Sequence, residues 1–279
     1  MSLSIATVLC TYNRPIHTQQ VIDALRWHQV QNLYVFCDSG KDEQSAEQVR
    51  KVHGVVATID WGLPRVELNQ GPNRGLAASV VHAVDTALKT YNCVIVLEDD
   101  TVPATHFFTY MHECLRRYHQ HPDVIGISGY TIPIPKVLRD AHPWDVYFHP
   151  RIGSWGWATW GRAWIQYERN VSAAYYRAKE AGIDLNQGGQ DVPNMIEQRI
   201  QGTLDAWTSG WLLAAYLNRA YYVYPMVSHI QNIGMDGTGV HCSVTDRFRT
   251  LQATIEPTRF PGGVLINDAI NAHFRTYYR

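Results

Sequence analysis

Cys93-Val94-Ile95-Val96-Leu97 is an unbroken apolar run, and three acids, Glu98-Asp99-Asp100, follow it without a spacer. A strand that is apolar at every position is buried on both faces, which happens in a mostly parallel sheet covered by helices. The residues before it agree with that arrangement. Strands are expected over 4–10, 33–37, 55–59 and 66–68, and helices over 15–28, 42–52 and 76–88. Pro15 suits a first helical turn, where its missing N–H costs nothing. Leu76, Val80, Val84 and Leu88 form one apolar stripe. This βαβα order predicts an α/β fold, with residues 1–100 as its regular part. From 101 to 279 the pattern is less regular, with helices expected over 105–119, 173–181, 192–200 and 207–218, and an aromatic-rich stretch over 130–164. Gln187-Gly188-Gly189-Gln190 reads as a mobile surface loop.

Ligands bind parallel sheets outside the carboxyl ends of the strands. Four polar segments fall there: 10–14, 37–41, 69–74 and 98–100. The acidic triplet is the sharpest of them. Adjacent carboxylates at a buried strand end repel one another, and a hard divalent cation relieves the repulsion. A solvated turn is the plainer reading, and the buried strand before the triplet argues against it. Thr11, Tyr12 and Asn13 offer hydrogen bonds and a flat ring, and Asp38 can accept from a base or a ribose. Arg74, beside Asn73, can pair with a phosphate or with the acids. Trp155, Trp157 and Trp160 either stack on sugar or fill the core. Asp205 is either a helix cap or a general base. His229, Asp236 and His241 lie in or beside the glycine-rich segment 234–239, which can close over a ligand.

The net charge is −1 and no basic run stands out, so a nucleic-acid partner is not expected. The five cysteines, Cys10, Cys37, Cys93, Cys114 and Cys242, show no C-x-x-C spacing and read as small buried hydrophobes in a reducing compartment. No apolar run reaches membrane-spanning length, so a soluble, cytoplasmic chain is expected.

Taken in order, Thr11-Tyr12-Asn13-Arg14-Pro15, Asp38, Asn73-Arg74-Gly75 and the acidic triplet resemble the GT-A glycosyltransferases, and their family-2-like members in particular. Glu98-Asp99-Asp100 is similar to the metal motif of the N-acetylglucosaminyltransferase I branch. Gly156-Trp157, Leu204-Asp205-Ala206-Trp207 and the run from Asn232-Ile233-Gly234 to His241 extend that likeness. The resemblance implies a Rossmann-like central sheet with an acceptor-side C-terminal part. It also implies inverting transfer from a nucleotide diphosphate donor, a UDP-sugar by preference, to a glycan or other hydroxyl acceptor. Asp100 would contact Mn²⁺ or Mg²⁺, with His241 as a metal or phosphate contact. Thr11, Tyr12, Arg14, Asp38, Asn73, Arg74, Asp99 and Trp157 would hold the nucleotide-sugar. Asp205 would be the base, although Ala206 stands where the branch has the acid beside tryptophan, which leaves Asp191 in reserve. Contact with a membrane surface stays open. The rival readings are a sugar-nucleotide nucleotidyltransferase, whose glycine-rich opening loop is missing here, and an inactive carbohydrate- or nucleotide-binding protein.

Overall fold

The computed structural model describes residues 3–62, 64–238 and 244–278. In the first part β1 (Ile5–Thr11), α1 (Pro15–Trp27), β2 (Leu33–Cys37), α2 (Glu43–Val56), β3 (Arg65–Leu68), α3 (Leu76–Ala87) and β4 (Cys93–Glu98) follow one another. β5 (Thr101–Pro103), α4 (Phe107–Arg117), β6 (Val124–Ser128), α5 (Lys136–Ala141), β7 (Val146–His149), β8 (Trp157–Trp160) and α6 (Gly161–Trp164) come next. The chain ends through α7 (Val171–Glu180), a 3-10 turn at Leu185–Gly188, α8 (Val192–Gln201), α9 (Thr208–Leu217), β9 (Tyr221–Pro225), β10 (Ile230–Asn232) and α10 (Asp268–Tyr277).

The fold is α/β, with one eight-stranded sheet ordered β3-β2-β1-β4-β8-β6-β9-β7 and flanked by helices. From β3 to β4 all pairings are parallel. β8 enters antiparallel to both β4 and β6. The sheet therefore runs without a break from the regular first part into the second. β4 lies at its centre with Cys93 to Leu97 fully buried, and each such aliphatic side chain contributes about 1.5–3 kcal/mol on burial. No helix among the described residues is long and apolar enough to cross a membrane.

Two expectations are corrected. Residues 55–59 are not a strand: α2 continues to Val56, because Val49, Val52 and Val56 form its buried stripe and the Thr58 hydroxyl donates back to the Val55 carbonyl at 2.7 Å. The glycine pair at 188–189 is not a surface loop. Both residues are buried, the Gly188 carbonyl accepts from Arg151, and the Gln190 N–H donates to the Tyr278 carbonyl. The four described cysteines are free and buried; Cys242 lies outside the described residues.

His229 is a core residue. It is 2% exposed, its ring stacks on Tyr110 at 4.8 Å, and its Nδ1 has no partner among the described residues. Burial, helped by His106, lowers its pKa to about 4. An unfolded histidine titrates near 6.5, so the neutral ring stabilises the fold fully above that pH. The stabilisation is lost as pH falls from about 6.5 to about 4, by on the order of 3 kcal/mol. Urea unfolding of the wild type and His229→Phe at pH 7 and pH 4 checks this. The phenylalanine variant keeps the stacked ring and should lose less stability on acidification.

Candidate active site

A cavity of about 380 Å³ opens at the carboxyl ends of β1, β2 and β4. Thr11 to Arg14 line it from β1, Asp38 and Lys41 from β2, and Glu98 to Asp100 from β4. Asn73, Gly75, Leu76 and Ser79 come from the start of α3, and Leu204 to Thr208 from the approach to α9. Ser154, Trp155, Met195, Asn232 and Thr238 complete the wall.

The acids are held by Arg14. Its Nη2 donates to Asp99 Oδ1 and, at 2.9 Å, to Asp100 Oδ2. The Tyr12 N–H donates to the other Asp99 oxygen at 3.2 Å. Asp99 and Asp100 are 4% and 7% exposed. Burial, then the charges of Asp100 and Asp99, push the Glu98 carboxyl up to about 8 against the pull of Arg14. Burial also raises Asp99, with Arg14 opposing and Asp100 reinforcing. Arg14 loses by desolvation, yet Asp99 and Asp100 raise its pKa overall. One guanidinium thus faces three crowded carboxyls.

That crowding fits a divalent cation. A β-carbon built on Gly234 would lie 2.1 Å from Asp100 Oδ2, so only glycine lets the backbone close on this carboxylate. The Ile233 N–H donates to the Asp100 carbonyl at 2.8 Å, and β10 pairs with β5 just beyond. Among the described residues no group of three or more His, Cys, Asp or Glu side chains is placed to hold a metal ion. Mg²⁺ and Mn²⁺ do not need such a group, since one or two carboxylates plus phosphate oxygens and water satisfy them. His241 lies outside the described residues. Asp236 pairs with His17 at 3.1 Å, tying the start of the glycine-rich segment to α1.

Asp38 organises the neighbouring wall. Its Oδ1 accepts from the Ser39 and Arg74 N–H groups and from Asn69 Nδ2. Its Oδ2 accepts from Asn73 Nδ2, from the Arg74 and Gly75 N–H groups and from the Ser79 hydroxyl. A carboxylate has about four lone-pair sites, so these donors saturate it. Asp205 holds the same helix from another side. Its Oδ2 accepts from the Ala77 N–H at 3.3 Å, and Arg199 lies 3.7 Å from its Oδ1. Asp205 does not cap its own helix α9, whose N-cap residue is Trp207.

The structure brings Thr11, Tyr12, Arg14, Asp38, Asn73, Asp99, Asp100 and Asp205 to one cavity. Three expected residues sit elsewhere. Arg74 turns its guanidinium to Glu67 on β3 at 3.1 Å and is not part of the wall. Trp157 is fully buried and stacks on Trp207 at 4.6 Å; Trp155 faces the cavity instead. Asp191 is engaged by Arg151 through two bonds of 2.7 and 2.8 Å. Lys41 and Ser79 are wall residues that no sequence motif singles out. Lys41 was legible only as the last residue of a strand-end segment.

No protein-family model matches the sequence, and no curated protein matches it. Solved structures with a similar fold include a mannosyltransferase of Pyrobaculum calidifontis in complex with GDP-Man and Mn²⁺. Its TM-score is 0.41 at 17% identity, over 61% of this chain and 47% of that one. S. aureus TarS in complex with UDP-GlcNAc gives 0.44 at 11% identity, over 82% and 58%. A mannose-1-phosphate geranyltransferase of Thermus thermophilus gives 0.40 at 11% identity, over 80% and 74%. The chain spans about half the length of the mannosyltransferase it matches.

Asp38→Asn replaces one saturated acceptor oxygen by a donor that faces other donors. It should destabilise the fold by about 1–3 kcal/mol, measured by urea unfolding at neutral pH.

Proposed function

We propose that this chain is a metal-assisted glycosyltransferase acting on a nucleotide diphosphate sugar, with inversion at the anomeric carbon. The observation that carries the reading is the meeting, in one cavity at the carboxyl end of the sheet, of the Arg14-bound acids and the partly exposed carboxylate of Asp205. Asp100, with Asp99 beside it, would hold Mn²⁺ or Mg²⁺. Such an ion supplies charge stabilisation for a leaving diphosphate.

Chain residues account for the remaining work. The N-terminus of α3 is a poor seat for phosphate, because the carboxylates of Asp38 and Asp205 already sit on it and take the Gly75 and Ala77 N–H groups. The diphosphate would therefore lie nearer Lys41 and the cation that Asp100 would hold, since Arg14 is engaged by Asp99 and Asp100. Tyr12 and Asn73, both in the cavity wall, would border the base and ribose. In the transfer step the acceptor oxygen forms a bond to the anomeric carbon as the bond from that carbon to the diphosphate oxygen breaks. The hydroxyl proton passes to Asp205, and the electron pair leaves with the diphosphate. UDP is the preferred nucleotide because the motif resembles the N-acetylglucosaminyltransferase I branch.

A second reading, sugar-nucleotide binding without transfer, draws on the bond between Asp205 and Ala77, which makes Asp205 a helix cap. Asp205→Asn separates the two, because asparagine caps about as well as aspartate but is no base. For a transferase, nucleotide release from UDP- and GDP-sugars with Mn²⁺ should drop by about 100-fold or more, with donor affinity and stability unchanged. Unchanged turnover would remove Asp205 from the chemistry. Asp100→Asn should weaken Mn²⁺-dependent nucleotide binding by about tenfold or more, read by calorimetry with and without the metal. Equal nucleotide affinity in that variant would refute its role as a metal ligand.

A further inference from the structure

A second cavity of about 210 Å³ adjoins the first and shares Ser154, Trp155, Met195 and Thr208 with it. It is a little over half the size of the first cavity, on the scale of one sugar ring. It is too small for a nucleotide.

Its walls are aromatic and fixed. Trp155 packs on Tyr130 at 4.5 Å and on Phe248 at 5.6 Å. Phe248 stacks on Tyr278 at 6.4 Å. The Tyr130 hydroxyl donates to the Phe248 carbonyl at 2.9 Å. Tyr277 grips the adjoining Arg247 backbone and receives a bond from its side chain. The last turn of α10 thus completes the cavity.

Arg151 is a cation in this wall, and its charge is already spent. It donates to Asp191 twice and to the Gly188 carbonyl, and its guanidinium lies 3.8 Å from the centre of the Tyr278 ring. An anion entering here would meet a neutralised pair. The hydroxyls of Ser154 and Thr208, by contrast, have no protein partner among the described residues, and both sit on the boundary with the larger cavity. Aromatic faces with a few unpaired hydroxyls at one edge suit an uncharged pyranose, whose C–H faces stack on rings while its hydroxyls bond at the rim.

We propose that this smaller cavity is the acceptor subsite and takes one neutral sugar ring, which presents a hydroxyl past Thr208 toward Asp205. The acceptor role rests on the glycosyltransferase reading above; the ring-binding does not. The test uses full-length protein labelled with 5-fluorotryptophan, with the Trp155 resonance assigned through Trp155→Phe. The probes are the methyl glycosides of glucose, mannose, galactose and N-acetylglucosamine, with methyl glucuronide as the charged comparator. At least one neutral glycoside should shift the Trp155 resonance saturably. Phe248→Ala, which removes a partly exposed wall, should weaken that binding by about fivefold or more while leaving the affinity for UDP or GDP with Mn²⁺ unchanged. No shift with any neutral glycoside, a shift unaffected by Phe248→Ala, or equal binding of the glucuronide overturns the subsite. Nucleotide binding measured on the same sample keeps the two readings apart. Nucleotide bound without a sugar shift refutes this cavity alone, whereas a sugar shift without nucleotide binding refutes its acceptor role.

Discussion

Three carboxyl groups at the end of one buried strand repel each other, and the geometry around them contains that repulsion. Arg14 comes from the end of β1, which pairs with β4 along its whole length. The register that buries Val8 against Val96 therefore also fixes the guanidinium beside Asp99 and Asp100. Burial, then the charges of Asp100 and Asp99, still push Glu98 up to about 8, which keeps it largely protonated at neutral pH. On the glycosyltransferase reading proposed above, a bound cation would relieve the remaining repulsion between Asp99 and Asp100, where the backbone of Gly234 closes one side.

The same economy governs α3. Its own N-cap, Gly75, provides no side-chain acceptor. Two carboxylates distant in sequence supply the acceptors, Asp38 from β2 and Asp205 from the approach to α9. The helix N-terminus thereby ties the regular first part of the chain to the irregular second part across the cavity. A helix terminus that already carries two carboxylates is a poor seat for a further anion. The helix thus secures the cavity's shape, while the strand ends supply most of its charged wall.

How far the sequence disclosed this differs between the two parts. The parallel strands and the acids were legible because a strand buried on both faces is apolar throughout, and because its charged end has no structural excuse. Residues 55–59 misled because a short β-branched run reads equally as the end of a helix, and the stripe beginning at Val49 decides the matter only when its length is known. Arg74 was expected at the ligand from its loop position and from the motif resemblance. Nothing in its neighbourhood revealed that Glu67, seven residues earlier, would face it across the turn. The antiparallel entry of β8 and the pairing of Arg151 with Asp191 depend on contacts between distant segments, which no local period records.

The exchange of Trp155 for Trp157 shows the limit in one place. Residues two apart on a strand point to the same face, so a plain reading sends both rings to the core or both to the cavity. Gly156, between them, takes a φ of +57°, and a side chain there would strike Ile230 Cδ1 at 2.7 Å. The left-handed residue breaks the pleat just before β8 begins. Trp157 starts the strand and stacks inward on Trp207, whereas Trp155 stays outside the alternation and stands where the two cavities meet. One glycine thus sends one tryptophan of the pair into the core and leaves the other on the cavity wall. It also explains why the aromatic wall adjoining the acids belongs to the loop before the strand rather than to the strand itself.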